Sequence, residues 1–167
     1  MVPLEPKPAA RMGTDPCSSR SSKGGSGSSR AEPLPANVAA AVEPLMEHAA
    51  VLLRAGVKHI VLTLGPLGAA LCTLCPDNPS SAICVQHVPA LSAKVVNCSG
   101  AGDCLVAGCL FGLTQGRSRL QALACGVAAS RAAIESTLNV PPQLSAAQVE
   151  RGAQEVLARK VAAVVRI

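Results

Sequence analysis

A chain of 167 residues with no Trp, no Tyr and a single Phe, Phe111, must build its core from small and aliphatic side chains. Aromatic rings bury the largest areas per residue, so without them the packed elements have to come close together. Ala, Val, Leu and Cys suit helices laid closely on a parallel sheet. Apolar residues make up 49% and charged residues 15% of the chain, which is enough for one buried core, and the length suits one domain rather than two. The same poverty excludes functions. Readers of single-stranded nucleic acid stack bases on aromatic side chains, and a single Phe offers no such platform. Recognition through an aromatic anchor is not expected either.

Charge adds a second exclusion. The net charge is +5, yet residues 1–30 alone hold five Lys/Arg against two Asp/Glu, leaving ten against eight for the rest. The remainder is nearly neutral and carries no dense basic stripe, so nucleic acid is not an expected partner. The longest apolar run, Cys104–Leu113, falls well short of the roughly 20 residues of a membrane span. The first residues, Met1-Val2-Pro3-Leu4-Glu5-Pro6, lack the apolar stretch of a secretory signal. A soluble, cytoplasmic protein is the expectation, with all eight Cys as reduced thiols packing like small hydrophobes.

Residues 18–30 contain only Ser, Gly, Lys and Arg, and six of the thirteen prolines fall in the first 35 positions. Such a stretch buries no apolar surface, so residues 1–35 read as a disordered leader. From Asn37 a helical pattern runs through Val38, Val42, Leu45, Met46, Ala49, Leu52 and Leu53 to Gly56, with Pro44 starting or kinking it. His59–Leu64 reads as a buried strand, followed by the turn Gly65-Pro66-Leu67-Gly68 and strands at Ala69–Leu74, Ala82–Val88 and Lys94–Asn97. Three helices close the chain. Ala101–Gln115 is apolar nearly all round and is expected to be buried on more than one side. Ser118–Ser136 carries Leu120, Leu123, Val127 and Ile134 on one stripe, and Ser145–Arg159 opens with Ser145 and Gln148 in capping-box spacing. The order is that of an α/β fold.

The segment Asn97-Cys98-Ser99-Gly100-Ala101-Gly102-Asp103 lies where a strand meets a helix. Small residues let the backbone approach a ligand, and the first N–H groups of a helix have no intrahelical partner. With the helix dipole, that end suits an anion such as a phosphoryl group. Asp103 in the first turn adds a carboxylate beside the anion hole, an arrangement for phosphoryl transfer. The bland alternative has Ser99 capping the helix and Asp103 complementing its dipole. Neither the G-x-x-x-x-G-K-[ST] phosphate loop nor G-x-G-x-x-G after a strand is present.

Asn97–Asp103 with Leu105, Ala107-Gly108 and Leu113 resembles the C-terminal signature of the ribokinase (PfkB) family of carbohydrate and nucleoside kinases. Upstream, Val57–Gly68 is similar to that family's strand and T-L-G-x-x-G turn. Asn97 in the first position is similar to the pseudouridine kinase branch. The resemblance covers about Leu45–Val156 and implies a ribokinase-like three-layer α/β/α sandwich, truncated to its C-terminal portion over residues 36–167. It implies ATP with Mg²⁺ and a nucleoside or sugar as partners, phosphorylation at a 5′-hydroxyl with pseudouridine the best match, and a homodimer in full-length members. By the same resemblance Asp103 is the catalytic base and the amides of Gly100, Ala101 and Gly102 form the anion hole. Thr63, Gly65 and Gly68 border the ATP phosphates and ribose, while Gly126, Ala129 and Asn139 flank adenine. A monovalent cation, K⁺ in potassium-activated members, would lie near Asn97 and Ser99, though Asn97 lacks the charge usual there.

The family's N-terminal half, with its β-sheet lid, Gly-Gly motif and most sugar contacts, has no counterpart, and its N-x-x-E magnesium-associated motif is missing. The chain reads as a truncated form whose alternative role is a catalytically inactive isoform that binds nucleotide weakly or works through protein interaction. Cys72-Thr73-Leu74-Cys75 has C-x-x-C spacing without a second pair, which favours strand packing over zinc. His48, His59 and His87 form no constellation and suit surface or strand-edge positions.

Overall fold

In a computed structural model of the chain, the structure describes residues 33–76, 82–159 and 162–166. Residues 1–32 of the expected leader lie outside them, while Leu34 is buried in one cluster with Val38 and Val42. Pro44 divides the first helical pattern into α1 (Ala36–Val42), a 3₁₀ turn (Glu43–Leu45) and α2 (Met46–Arg54). Proline lacks an N–H and its ring crowds the preceding turn, so one unbroken helix cannot run through it. Gly56, at φ +109°, ends α2, with Val57 N–H donating back to Leu52 O at 3.1 Å.

Four strands follow: β1 (Ile60–Thr63), β2 (Ala69–Leu74), β3 (Ile83–Val88) and, after the last helix, β4 (Ala162–Arg166). They pair in the order β1-β2-β3-β4, and every neighbour is antiparallel, with Thr63 opposite Ala69 and Ala69 opposite Val88. The parallel sheet suggested by composition is not what forms. A parallel crossover needs about a dozen residues, and the link from Thr63 to Ala69 is far shorter. Lys94–Asn97 is not a strand.

Helices α3 (Ala101–Thr114), α4 (Arg119–Ile134) and α5 (Ala146–Ala158) lie on one side of the sheet, α1 and α2 on the other. Alternation along β2 shows both faces at work. Ala69 and Leu71 join the cluster under α3–α5, while Ala70 and Cys72 join the cluster under α1 and α2. This is a three-layer α/β/α arrangement.

The burial of the helices differs from the sequence expectation. Every residue from Ala122 to Ala129 of α4 is buried, while α3 exposes Val106, Leu110 and Leu113 along one face. The Ala- and Gly-rich surface of α4 admits α3 and α5 on either side, so α4 takes the central place. Side-chain hydrophobicity alone does not assign that place. Ser118 and Ser145 cap α4 and α5 with reciprocal bonds to Gln121 and Gln148, as the capping-box spacing requires.

The cysteines are not all thiols. Cys75 and Cys84 form a disulfide across the β2–β3 hairpin, while Cys72 is a buried free thiol on the other face. Among the described residues no group of three His, Cys, Asp or Glu could hold a metal ion, and no helix is long and apolar enough to cross a membrane.

Candidate functional site

Two turns meet at one end of the sheet. The first leaves β1 at Thr63 and closes on itself: Leu64 N–H donates to Gly68 O at 2.8 Å and Gly68 N–H to Gly65 O at 3.1 Å. Gly68 has φ +102°, and a Cβ there would lie 2.6 Å from Ala90 N and closer still to Val88 O. Only glycine can make this turn against the end of β3.

The second turn is carried by residues 89–99. Val96 and Asn97 donate their N–H groups to Ile134 O at 2.9 and 3.2 Å, and Lys94 N–H donates to Glu135 Oε1 at 3.2 Å. The polar groups expected to pair in a strand therefore satisfy the C-terminal end of α4 instead. Asn97 Oδ1 accepts the Ser99 N–H at 2.9 Å, and Gly100, at φ +77°, begins α3 without a side-chain cap. Ser99 thus does not cap the helix. Of the first N–H groups of α3, Cys104 reaches Gly100 O at 2.9 Å and Ala101 leans on Cys98 O at 3.3 Å. Gly102 and Asp103 N–H groups have no carbonyl within the helix to reach and face out of its end.

A cleft of about 680 Å³ lies between the turns. Thr63, Gly65 and Gly68 wall one side, and Ala101 and Gly102 wall the other. Two sequence segments some three dozen residues apart thus share one cavity at a helix N-terminus, a place fitted to a phosphate chain.

A profile of the pfkB family of carbohydrate kinases matches residues 34–144. The chain belongs to the PfkB carbohydrate kinase family. It is 35% identical to a pseudouridine kinase of Arabidopsis thaliana, covering 56% of this chain and 34% of that one. The fold is similar to that of ribokinase from Thermotoga maritima, with TM-score 0.50 and 22% identity over 68% of this chain and 34% of that one. It is likewise similar to a nucleoside kinase of Burkholderia thailandensis solved in complex with inosine, with TM-score 0.52 and 19% identity over 64% and 33%. The chain spans about a third of the length of these relatives. The α/β/α layers are those of the ribokinase-like fold.

Within this PfkB frame the other expected site residues fall elsewhere. Asp103 is exposed in the first turn of α3, beside the cleft rather than on its wall. Gly126 and Ala129 are buried in the α3–α4 contact, where a Cβ on Gly126 would lie 2.7 Å from Leu105 O. The α4 residues on the cleft are Ser130 and Ile134. Ser130 follows Ala129 directly, and a rotation of about 100° per residue takes one into the helix contact and the other to the cavity. Asn139 braces the turn from behind: its carbonyl abuts Gly100 and accepts from Cys104 Sγ at 3.7 Å, and its Oδ1 accepts from Asn97 Nδ2 at 3.4 Å.

At Asn97, expected beside a monovalent cation, the structure places no charged group among the described residues. Asn97 is a neutral amide whose oxygen is already taken by Ser99 N–H and whose nitrogen faces Asn139. The apolar wall of Leu91, Ala93 and Val95 was not legible as a site, because such residues carry no motif. Burial, reinforced by the neighbouring Asp103 carboxylate, pushes the Cys104 thiol above its ordinary range, so it stays protonated in this corner.

Proposed function

We propose that the cleft binds ATP and that the chain transfers its γ-phosphoryl group to the 5′-hydroxyl of a nucleoside or sugar, with pseudouridine the first acceptor to test. One observation carries this: the T-L-G-x-x-G turn and the N-terminus of α3 wall a single cavity. The acceptor oxygen attacks the γ-phosphorus and the bond to the β-phosphate oxygen breaks, releasing ADP. The proton passes to the Asp103 carboxylate, while the outward-facing N–H groups of Gly102 and Asp103 meet the charge on the transferred group. Mg²⁺ would enter with the nucleotide, its main ligands being phosphate oxygens, since the described residues assemble no acidic cluster for it. The acceptor choice is supported by the identity to the Arabidopsis thaliana pseudouridine kinase and by Asn97 at the head of the motif.

The test is the melting temperature with ATP or ADP and Mg²⁺, run beside transfer of labelled phosphate to a nucleoside panel. Asp103→Asn is expected to keep the nucleotide-induced shift and to lower transfer by about 10²–10⁴-fold. No shift and no transfer in the wild-type chain would leave a shared fold without the activity.

A second reading, nucleotide binding without turnover, is favoured by the exposure of Asp103 and of the adjoining α3 face at Val106, Leu110 and Leu113. Water reaches the base in this arrangement, which weakens electrostatic catalysis. Phosphorylation of pseudouridine by the 167-residue chain alone would exclude it. The cytoplasmic setting belongs to the same proposal. There the Cys75–Cys84 bond would be open to reduction, and the chain should remain folded in dithiothreitol.

A further inference from the structure

The geometry points to His87 as the positioning residue for the turn that forms the nucleotide-side wall of the cleft. Its expected place was a surface or strand edge, yet it is 4% exposed and sits in β3, an inner strand of the sheet. Its Nε2 lies 2.6 Å from Leu67 O, twenty residues away in sequence. With a carbonyl as partner, Nε2 must carry the proton and donate it. Leu67 ends the 3₁₀ turn Gly65–Leu67, and a carbonyl at such an end has no partner within the turn. His87 supplies the missing donor from the middle of the sheet.

The next residue of β3 holds the same turn from another side. Val88 O abuts Cα of Gly68, leaving no room for a side chain. Two successive residues of one strand therefore grip the turn, one through a side-chain hydrogen bond and one through backbone contact. The turn is closed internally by Leu64 N–H to Gly68 O at 2.8 Å. Gly65, Pro66 and Gly68 of the gripped segment face the cleft, and the Leu67 side chain packs into the apolar cluster under α1 and α2. A turn rich in glycine gains its rigidity from such outside contacts, and a site is only as well placed as the groups that support it. His87 is not on the wall of the cleft; it acts through the turn.

The role in nucleotide binding rests on the kinase function proposed above, so the experiment separates the two. In the full chain, the nitrogen resonances of His87 should show a protonated Nε2, and the Leu67 and Gly68 amides should exchange slowly. His87→Leu, which removes the donor, is expected to speed exchange at those two amides and to weaken binding of trinitrophenyl-ATP by about tenfold. His87→Gln places a donor at similar reach and should restore both. Wild-type binding that His87→Leu leaves unchanged, or an unprotonated Nε2 in the wild-type chain, overturns the role of His87 while leaving the kinase function standing. Failure of the wild-type chain to bind the nucleotide overturns the kinase function instead, and amide exchange still reports on the turn. Should His87→Leu not fold, His87→Gln decides: binding about tenfold weaker than that of the wild-type chain would overturn the hydrogen-bonding role.

Discussion

The backbone carbonyl of Asn139 lies directly against Gly100, where the chain turns into α3. Gly100 is in the left-handed region at φ +77°, and a Cβ there would come within 2.7 Å of the Asn139 carbonyl carbon. The N-terminal end of α3 is therefore shaped by a loop some forty residues further along the chain.

Gly100→Ala is expected to destabilise on two counts. The left-handed backbone costs an alanine about 1–3 kcal/mol, and the collision with Asn139 is added to it. Thermal denaturation should show a fall of roughly 5–10 °C, together with loss of the nucleotide-induced shift. An unchanged melting curve would mean that the turn relaxes freely and that Asn139 does not brace it.

Gly126→Ala separates a packing role from a nucleotide-contact role. The new methyl would lie 2.7 Å from Leu105 O and 2.5 Å from Cys109 Sγ, inside the α3–α4 contact. Overpacking of this kind costs about 1–3 kcal/mol. Stability should fall while nucleotide affinity, measured per folded molecule, stays the same. Weaker adenine-nucleotide binding with normal stability would return Gly126 to the adenine side of the site.

The buried thiols give a pH signature. Burial pushes Cys72 up to about 11, and burial followed by the neighbouring Cys125 does the same for Cys109. The folded values lie above the ordinary thiol range, so both states keep their protons below about pH 8.5. As pH rises from there toward 11, the unfolded chain loses protons that the folded chain retains, and stability falls. With no tyrosine in the chain, that window is free of phenol ionisation. Melting temperatures measured from pH 8 to 11 should decline more gently in Cys72→Ala than in the wild type. Parallel declines would show that Cys72 ionises as readily folded as unfolded.

Much of the site could be read from local chemistry. The capping boxes at Ser118 and Ser145 and the break at Pro44 follow from what each residue can do with its nearest neighbours. The turn at Gly65–Gly68 and the glycine-led start of α3 are local in the same sense, and so is their joint resemblance to a kinase signature. The antiparallel pairing of β1 with β2 was legible as well, in the shortness of the link from Thr63 to Ala69, although composition pointed the other way.

Only the tertiary structure decided which of two apolar helices lies in the centre, since α3 and α4 are both able to be buried and their neighbours make the choice. It also separated Ala129 from Ser130, one turned into the helix contact and the other toward the cleft. The Cys75–Cys84 bond and the reach of His87 to Leu67 depend on strand register, which sets residues distant in sequence side by side. Turns and caps are determined by bonds that span a few residues. Burial, pairing and the wall of a cleft are determined by which surfaces meet, and that is a property of the whole packed chain.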